Sequence, residues 1–113
     1  MPHIISVPTV TFGTDGYIKI NIKAKKFFKG YNYVHFYYNY REKILTLKMT
    51  KNKDIDSRRV ENYKPDRLLR IYAIPLFKII RPNYKEKSAR YPIFLKDKNK
   101  VIIDLKKDLT NKE

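Results

Sequence analysis

The sequence predicts a β-rich α+β domain built from two similar units, each a strand, a short helix and a β-hairpin. Three observations point there. In "YIKINIK" (17–23) Ile18, Ile20 and Ile22 alternate with Lys19, Asn21 and Lys23, the period of a half-buried strand. β-Branched and aromatic runs come in pairs around polar turns, at 33–40 with 44–49 and at 91–95 with 101–105, which reads as two hairpins. Finally, "YVHFYYNYREKILTL" (33–47) and "YPIFLKDKNKVIIDL" (91–105) align without a gap. Tyr33/Tyr91, Phe36/Phe94, Ile44/Ile102 and Leu47/Leu105 are identical in that alignment. Duplication and the reuse of few residue types by strands both account for those identities, and the shared order of elements favours duplication. At 113 residues the chain suits one domain. Unit one covers about 10–49, a polar linker 50–67, unit two about 68–105 and a frayed tail 106–113.

Each element has a local reason. "HIISVPTVTF" is β-branched, with Pro8 confining part of it to an edge or bend. "GTDG" (13–16) is a turn signal before the alternating strand. Asn21 is placed to cap a short helix, "IKAKKFF", with Ala24, Phe27 and Phe28 at helical spacing and Gly30 at its end. The first hairpin turns at "NYRE" (39–42); Val34, Phe36, Tyr38 and Tyr40 form its core face, and Tyr33, His35, Tyr37 and Asn39 the outer one. "TKNKDIDSRRVENYKPD" is polar and reads as the linker. "RLLRIYAI" resumes strand character, "PLFKII" is a short helix led by Pro75, and "RPNYKEKSAR" is a basic loop. Only three glycines occur, which argues against a sandwich of many tight turns.

The first unit resembles the swapped-hairpin domain of AbrB/MazE-type DNA-binding proteins. The likeness rests on Gly16, Ile18 and Ile20 of the alternating strand, the helix "KAKKFF", Gly30, Val34 and the closing "ILTLK". The family usually has a proline just after the alternating strand; this chain has Asn21 there, and Pro75 near the equivalent point of the second half. The resemblance implies a small barrel in which two units interlock. It would form as a homodimer, or as an intramolecular pseudo-dimer if one chain supplies both units. It also implies binding to duplex DNA, in transcription regulation or chromatin association.

Charge points to the same class of partner without the resemblance. There are 26 Lys plus Arg against 11 Asp plus Glu, a net +15, beyond what solubility needs. Such an excess repels itself and favours polyanions, nucleic acid first and an anionic membrane surface second. No segment approaches the ~20 apolar residues of a membrane-spanning helix. "MPHIISVPTV" has no charged n-region before an apolar run. The expectation is a soluble cytoplasmic protein without a membrane partner. The chain has no cysteine, so disulfides, thiolate zinc sites and cysteine nucleophiles are excluded.

Catalytic chemistry finds few residues. His3 lies near the end of the chain, and His35 lies in a strand among tyrosines. Asp54, Asp56, Glu61 and Asp66 are interleaved with Lys51, Lys53, Arg58, Arg59 and Lys64, which balances local charge. No phosphate-binding glycine loop, nucleophile elbow or metal-ligand spacing occurs. The expectation is no enzyme, no metal and no cofactor.

The candidate phosphate contacts are Lys19, Lys23, Lys25, Lys26, Arg58, Arg59, Arg81, Lys85, Lys87 and Arg90, with the Arg81–Arg90 loop placed first. "GYNYVHFYYNY" (30–40) holds five of the ten tyrosines and no formal charge. Tyr33, His35 and Tyr37 on its outer face are candidate base-stacking residues for single strands; exposed tyrosines that merely favour a strand are the plainer alternative. The leading reading is a nucleic-acid-binding protein, DNA rather than RNA. The alternatives are a basic accessory subunit of a ribonucleoprotein or polymerase assembly, and a single-strand binder.

Overall fold

The computed structural model describes residues 7–63 and 68–109; the expectation about His3 lies outside them. Eight strands follow one another: β1 (Thr9–Phe12), β2 (Tyr17–Ile20), β3 (Tyr33–Asn39), β4 (Ile44–Thr50), β5 (Arg58–Tyr63), β6 (Leu68–Tyr72), β7 (Ala89–Asp97) and β8 (Lys100–Asp104). A 3-10 helix, Lys25–Phe28, lies between β2 and β3, and helix α1 (Ile74–Ile80) between β6 and β7. The strands close into a barrel in the order β1-β2-β6-β5-β3-β4-β8-β7, antiparallel at every junction. Around it, hairpins from the first and second halves of the chain alternate. β2 meets β6, β5 meets β3, β4 meets β8 and β7 meets β1.

The alternating pattern of the strands decides what fills the barrel. Val10 and Phe12, Ile18 and Ile20, Leu45, Leu47 and Met49, Ile71, Val101 and Ile103 are fully enclosed. Each stabilises the fold by roughly 1.5–3 kcal/mol relative to exposure. The two helices each add a phenylalanine to this core, Phe28 and Phe77. Phe77 stacks on Phe12 at 4.9 Å and touches Tyr84 at 5.3 Å, so α1 and the turn after it are fastened to β1.

Turn chemistry sets the register. Gly16 has φ +87° and its carbonyl accepts from the Ala73 N–H, joining the first turn to the start of α1. A Cβ there would sit 2.1 Å from Ile74 Cγ1. Asn21 organises the approach to the 3-10 helix. Its Oδ1 accepts from the N–H groups of Thr9 (3.2 Å) and Ala24 (2.9 Å), and its Nδ2 donates to Thr9 Oγ1 (2.8 Å). Its own backbone N–H donates to the Thr9 carbonyl, which a proline could not do.

Several expectations change. The polar linker 50–67 is not a linker throughout, because Arg58–Tyr63 form β5, paired with β3 and β6. Backbone pairing with two neighbours holds this strand, and Val60 packs on the core. Tyr40 leaves the core face and is 71% exposed. β3 ends at Asn39, whose Oδ1 accepts from the Glu42 N–H and starts the turn. Arg90 is in β7, not in a loop. The tail is anchored as far as Leu109, whose N–H donates to the Arg90 carbonyl; its last residues lie outside the described ones.

The gap-free alignment of the two hairpins holds for β4 and β8, where Leu45 lies opposite Ile103. It fails for β3 and β7. Leu45 faces Tyr38 and Ile103 faces Ile93, so Tyr38 corresponds to Ile93 in space and the Tyr33/Tyr91 and Phe36/Phe94 matches fall out of step. The cause is unequal turns. Residues 40–43 connect β3 to β4 with Lys43 at φ 56°, whereas β7 carries a bulge between Leu95 and Asp97 and turns tightly into β8.

Candidate nucleic-acid interface

A cluster of cations over apolar surface surrounds the 3-10 helix. The "KAKKFF" sequence forms a single tight turn, which buries Phe28 and turns the lysines outward. Lys25, Lys26 and Lys29 border a groove of about 550 Å³ with an apolar floor of Phe28, Tyr31, Val60 and Leu69. Ile22, 57% exposed, stands at its mouth. Asn32 and Asn62 complete the lining.

Two neighbouring grooves share residues with this one. Toward β5 the surface continues over Asn32 and Asn62 to Tyr33, Arg59 and Glu61. Toward the β7–β8 turn it continues over Lys26, Lys29 and Tyr31 to Phe27, Leu95 and Lys98. Leu95 is 48% exposed. Lys26 Nζ stands 5.9 Å from the Phe27 ring centre. The result is a band with Lys25, Lys26, Lys29, Arg59 and Lys98 along it, interleaved with Phe27, Tyr31 and Tyr33. Phosphates and flat rings are the ligands that such a surface suits.

The other expected contacts distribute over the barrel. Lys19 lies on the outer face of β2, opposite Thr11 and Arg70, and Thr11 in turn lies opposite Arg90, so these cations form a cross-strand row. Acids temper it: Lys19 Nζ is 3.1 Å from Asp15 and Arg70 Nε 3.1 Å from Glu61. Beside the row, Arg70 covers the Tyr17 ring at 4.3 Å and Arg58 the Tyr72 ring at 5.5 Å. Lys23 is exposed in the turn after β2. Lys85 and Lys87 are exposed in the segment after α1.

Arg81 has a structural task. It is half-buried, and its Nη2 donates to the Lys87 carbonyl at 2.8 Å, tying the 82–88 segment to the end of α1. It also lines one hollow with Tyr91. Burial pushes the Tyr91 phenol above its usual range, and the Arg81 guanidinium offsets part of that.

The tyrosine platform is divided between two surfaces. Tyr33 belongs to the band with Arg59. His35 and Tyr37 line a separate groove with Ile55, Arg58, Pro75 and Ile79. There the His35 and Tyr37 ring centres are 6.4 Å apart and His35 Nε2 is 3.7 Å from the Asp54 carboxylate. Of the three candidate rings only Tyr37 is more than half exposed, at 55%.

Among the described residues, no group of three or more His, Asp or Glu stands close enough to share a metal ion. None of their helices is long and apolar enough to cross a membrane. The band unites Lys25 and Lys26 with Arg59 and Tyr33, all singled out in the sequence, and adds Lys29, Tyr31, Asn32, Asn62 and Lys98. The 25, 26, 29 spacing is a helical signal for one cationic face; the asparagines carry none, because they meet only when β5 pairs with β3. No family model, curated protein or solved structure matches the chain.

Proposed function

We propose that this chain is a nucleic-acid-binding protein, with DNA as its partner, and that the band around the 3-10 helix is its contact surface. The observation that carries the reading is the meeting of Lys25, Lys26, Lys29, Arg59 and Lys98 with Phe27, Tyr31 and Tyr33 on one continuous surface. A net charge of +15 supports it. Lysines and arginines on such a surface neutralise phosphates and release counterions, giving affinity and position. The rings add stacking to any base that is free to leave its own stack.

We also propose that the chain is a duplicated, AbrB-like swapped-hairpin barrel carrying both units, and that it acts in transcription regulation or chromatin association. The order strand, hairpin partner, short helix, hairpin occurs twice, and hairpins from the two halves alternate around the barrel. That alternation is what interlocked units would produce. The self-pairing of equivalent strands, β2 with β6 and β4 with β8, supports it too.

The test is fluorescence-anisotropy binding to single-stranded DNA, duplex DNA and single-stranded RNA at several salt concentrations. With about six phosphates contacted, log K falls against log salt with a slope near −5 for duplex and about −4 for single strands. The triple variant Lys25→Ala/Lys26→Ala/Lys29→Ala should lower affinity and flatten the slope by about 2–3. An unchanged slope in that variant removes the band as the contact surface. Weak, salt-insensitive binding to every probe removes the function.

A further inference from the structure

The groove beside the 3-10 helix has a chemistry that phosphate binding alone does not require. Its floor, Phe28, Tyr31, Val60 and Leu69, is apolar, and Lys25, Lys26 and Lys29 stand along its border. A backbone phosphate needs only the border. The side-chain amides of Asn32 and Asn62 line the same groove, both residues are exposed, and neither amide makes a hydrogen bond among the described residues. Asn32 is fixed from its backbone instead. Its N–H donates to the Thr50 carbonyl and its carbonyl accepts from the Val60 N–H, so the side chain remains available while its position is set. Asn62 is held opposite Leu69 in the β5–β6 pair.

We propose that this groove takes an unpaired nucleobase, so that the protein prefers single-stranded or locally opened nucleic acid to intact duplex. The inference rests on the nucleic-acid reading above and names the ligand of the same surface. A base lies against the apolar floor and the Tyr31 ring. The Asn32 and Asn62 amides, each with donors and an acceptor, meet its hydrogen-bonding edge. The border lysines hold the phosphates on either side. A paired base cannot enter, because its edge is occupied and its faces are stacked in the duplex.

The experiment uses the whole chain with labelled homopolymeric single strands of each base, and a mixed-sequence duplex of equal length, at fixed salt. Single strands should bind about tenfold tighter than duplex, with a clear order of preference among the bases. Asn32→Ala/Asn62→Ala changes only exposed side chains, so folding is retained. It should flatten the order among the bases while leaving the salt slope intact. Tyr31→Ala should cost about tenfold in single-strand affinity, and Tyr31→Phe, which keeps the ring, should restore it.

If the asparagine double variant keeps the original base order, the base pocket is overturned. Duplex binding equal to single-strand binding overturns it as well. In either case a retained salt slope leaves the broader nucleic-acid reading standing. Absence of binding to every probe at low salt ends both.

Discussion

At the residue scale, a few positions are decided by backbone geometry or by burial, not by side-chain type alone. Gly16 combines a left-handed φ of +87° with the side chain of Ile74 where a Cβ would sit. Gly16→Ala should therefore destabilise the fold by about 2–5 kcal/mol, from the left-handed penalty plus overpacking, as read by denaturant unfolding. Gly30 has a similar φ, +89°, but open space around it, so it carries only the first penalty. Tyr91 is decided by burial. Its phenol is raised above the usual range chiefly because the core disfavours the charged form. The neutral phenol thus favours the folded state below the unfolded value of about 10, and that contribution disappears as pH rises through the raised folded value. Thermal unfolding of the native chain should weaken steeply on that alkaline limb. Tyr91→Phe should show a shallower limb, and its absorbance titration should lack one late-ionising phenol. Such positions are only half legible beforehand. "GTDG" announces a turn, but nothing in it announces Ile74.

At the element scale, local pattern and partner supply different information. β2 is legible because Ile18 and Ile20 alternate with Lys19 and both are enclosed, but the alternation overreaches at Ile22, which lies past the end of β2 at Ile20 and is 57% exposed because the chain turns there toward the 3-10 helix. β5 is not legible, because "RRVENY" sets a single aliphatic residue, Val60, among charged and polar neighbours. Its strand state comes from backbone pairing with β3 and β6, which carries no side-chain signature. The short helix after β2 is legible as an element but not as a type. Asn21 spends its carboxamide on both Thr9 and Ala24, and the chain then makes one 3-10 turn, not a longer α-helix. Asn21 is not the helix cap that its position suggests, since Ala24 holds that place without a side-chain cap bond; Asn21→Ala should still cost about 2 kcal/mol, because it removes the acceptor of the Ala24 N–H and leaves buried Thr9 with fewer partners. Hydrogen exchange should locate the loss at β1 and the segment leading into the 3-10 helix. An unchanged midpoint would show that water replaces Asn21 at no cost.

At the scale of the whole molecule, closure is the governing feature. The eight antiparallel strands close into a ring in which every strand has two neighbours, β3 and β5 meeting over just two residue pairs, so no second chain is needed to complete the barrel. Light scattering should therefore find a monomer across the accessible concentration range, and an obligate dimer would count against the two-unit proposal. Closure also brings the site together. Lys25–Lys29 from one half, Arg59 and Asn62 from β5 and Lys98 from the β7–β8 turn share a surface only because hairpins from the two halves alternate. Three glycines suffice for so many strands because other devices serve the turns. Lys43 adopts φ 56° between β3 and β4, and β7 bends at its bulge before β8.

Local sequence pattern accounts for the β-rich class, the inward faces of the strands where they alternate, the sites of most turns and the sign of the surface charge. These follow from periodicity, from side-chain hydrophobicity and from the φ that glycine and asparagine tolerate, all of which act within a few residues. Tertiary structure alone decided the rest: that β5 is a strand, that β3 and β7 are shifted relative to the aligned hairpins, that Arg81 serves the fold, and that two distant asparagines line one groove. Those outcomes depend on which backbones pair across the barrel. A backbone hydrogen bond is the same for every non-proline residue, so the choice of partner is made by how the whole set of strands closes around its core.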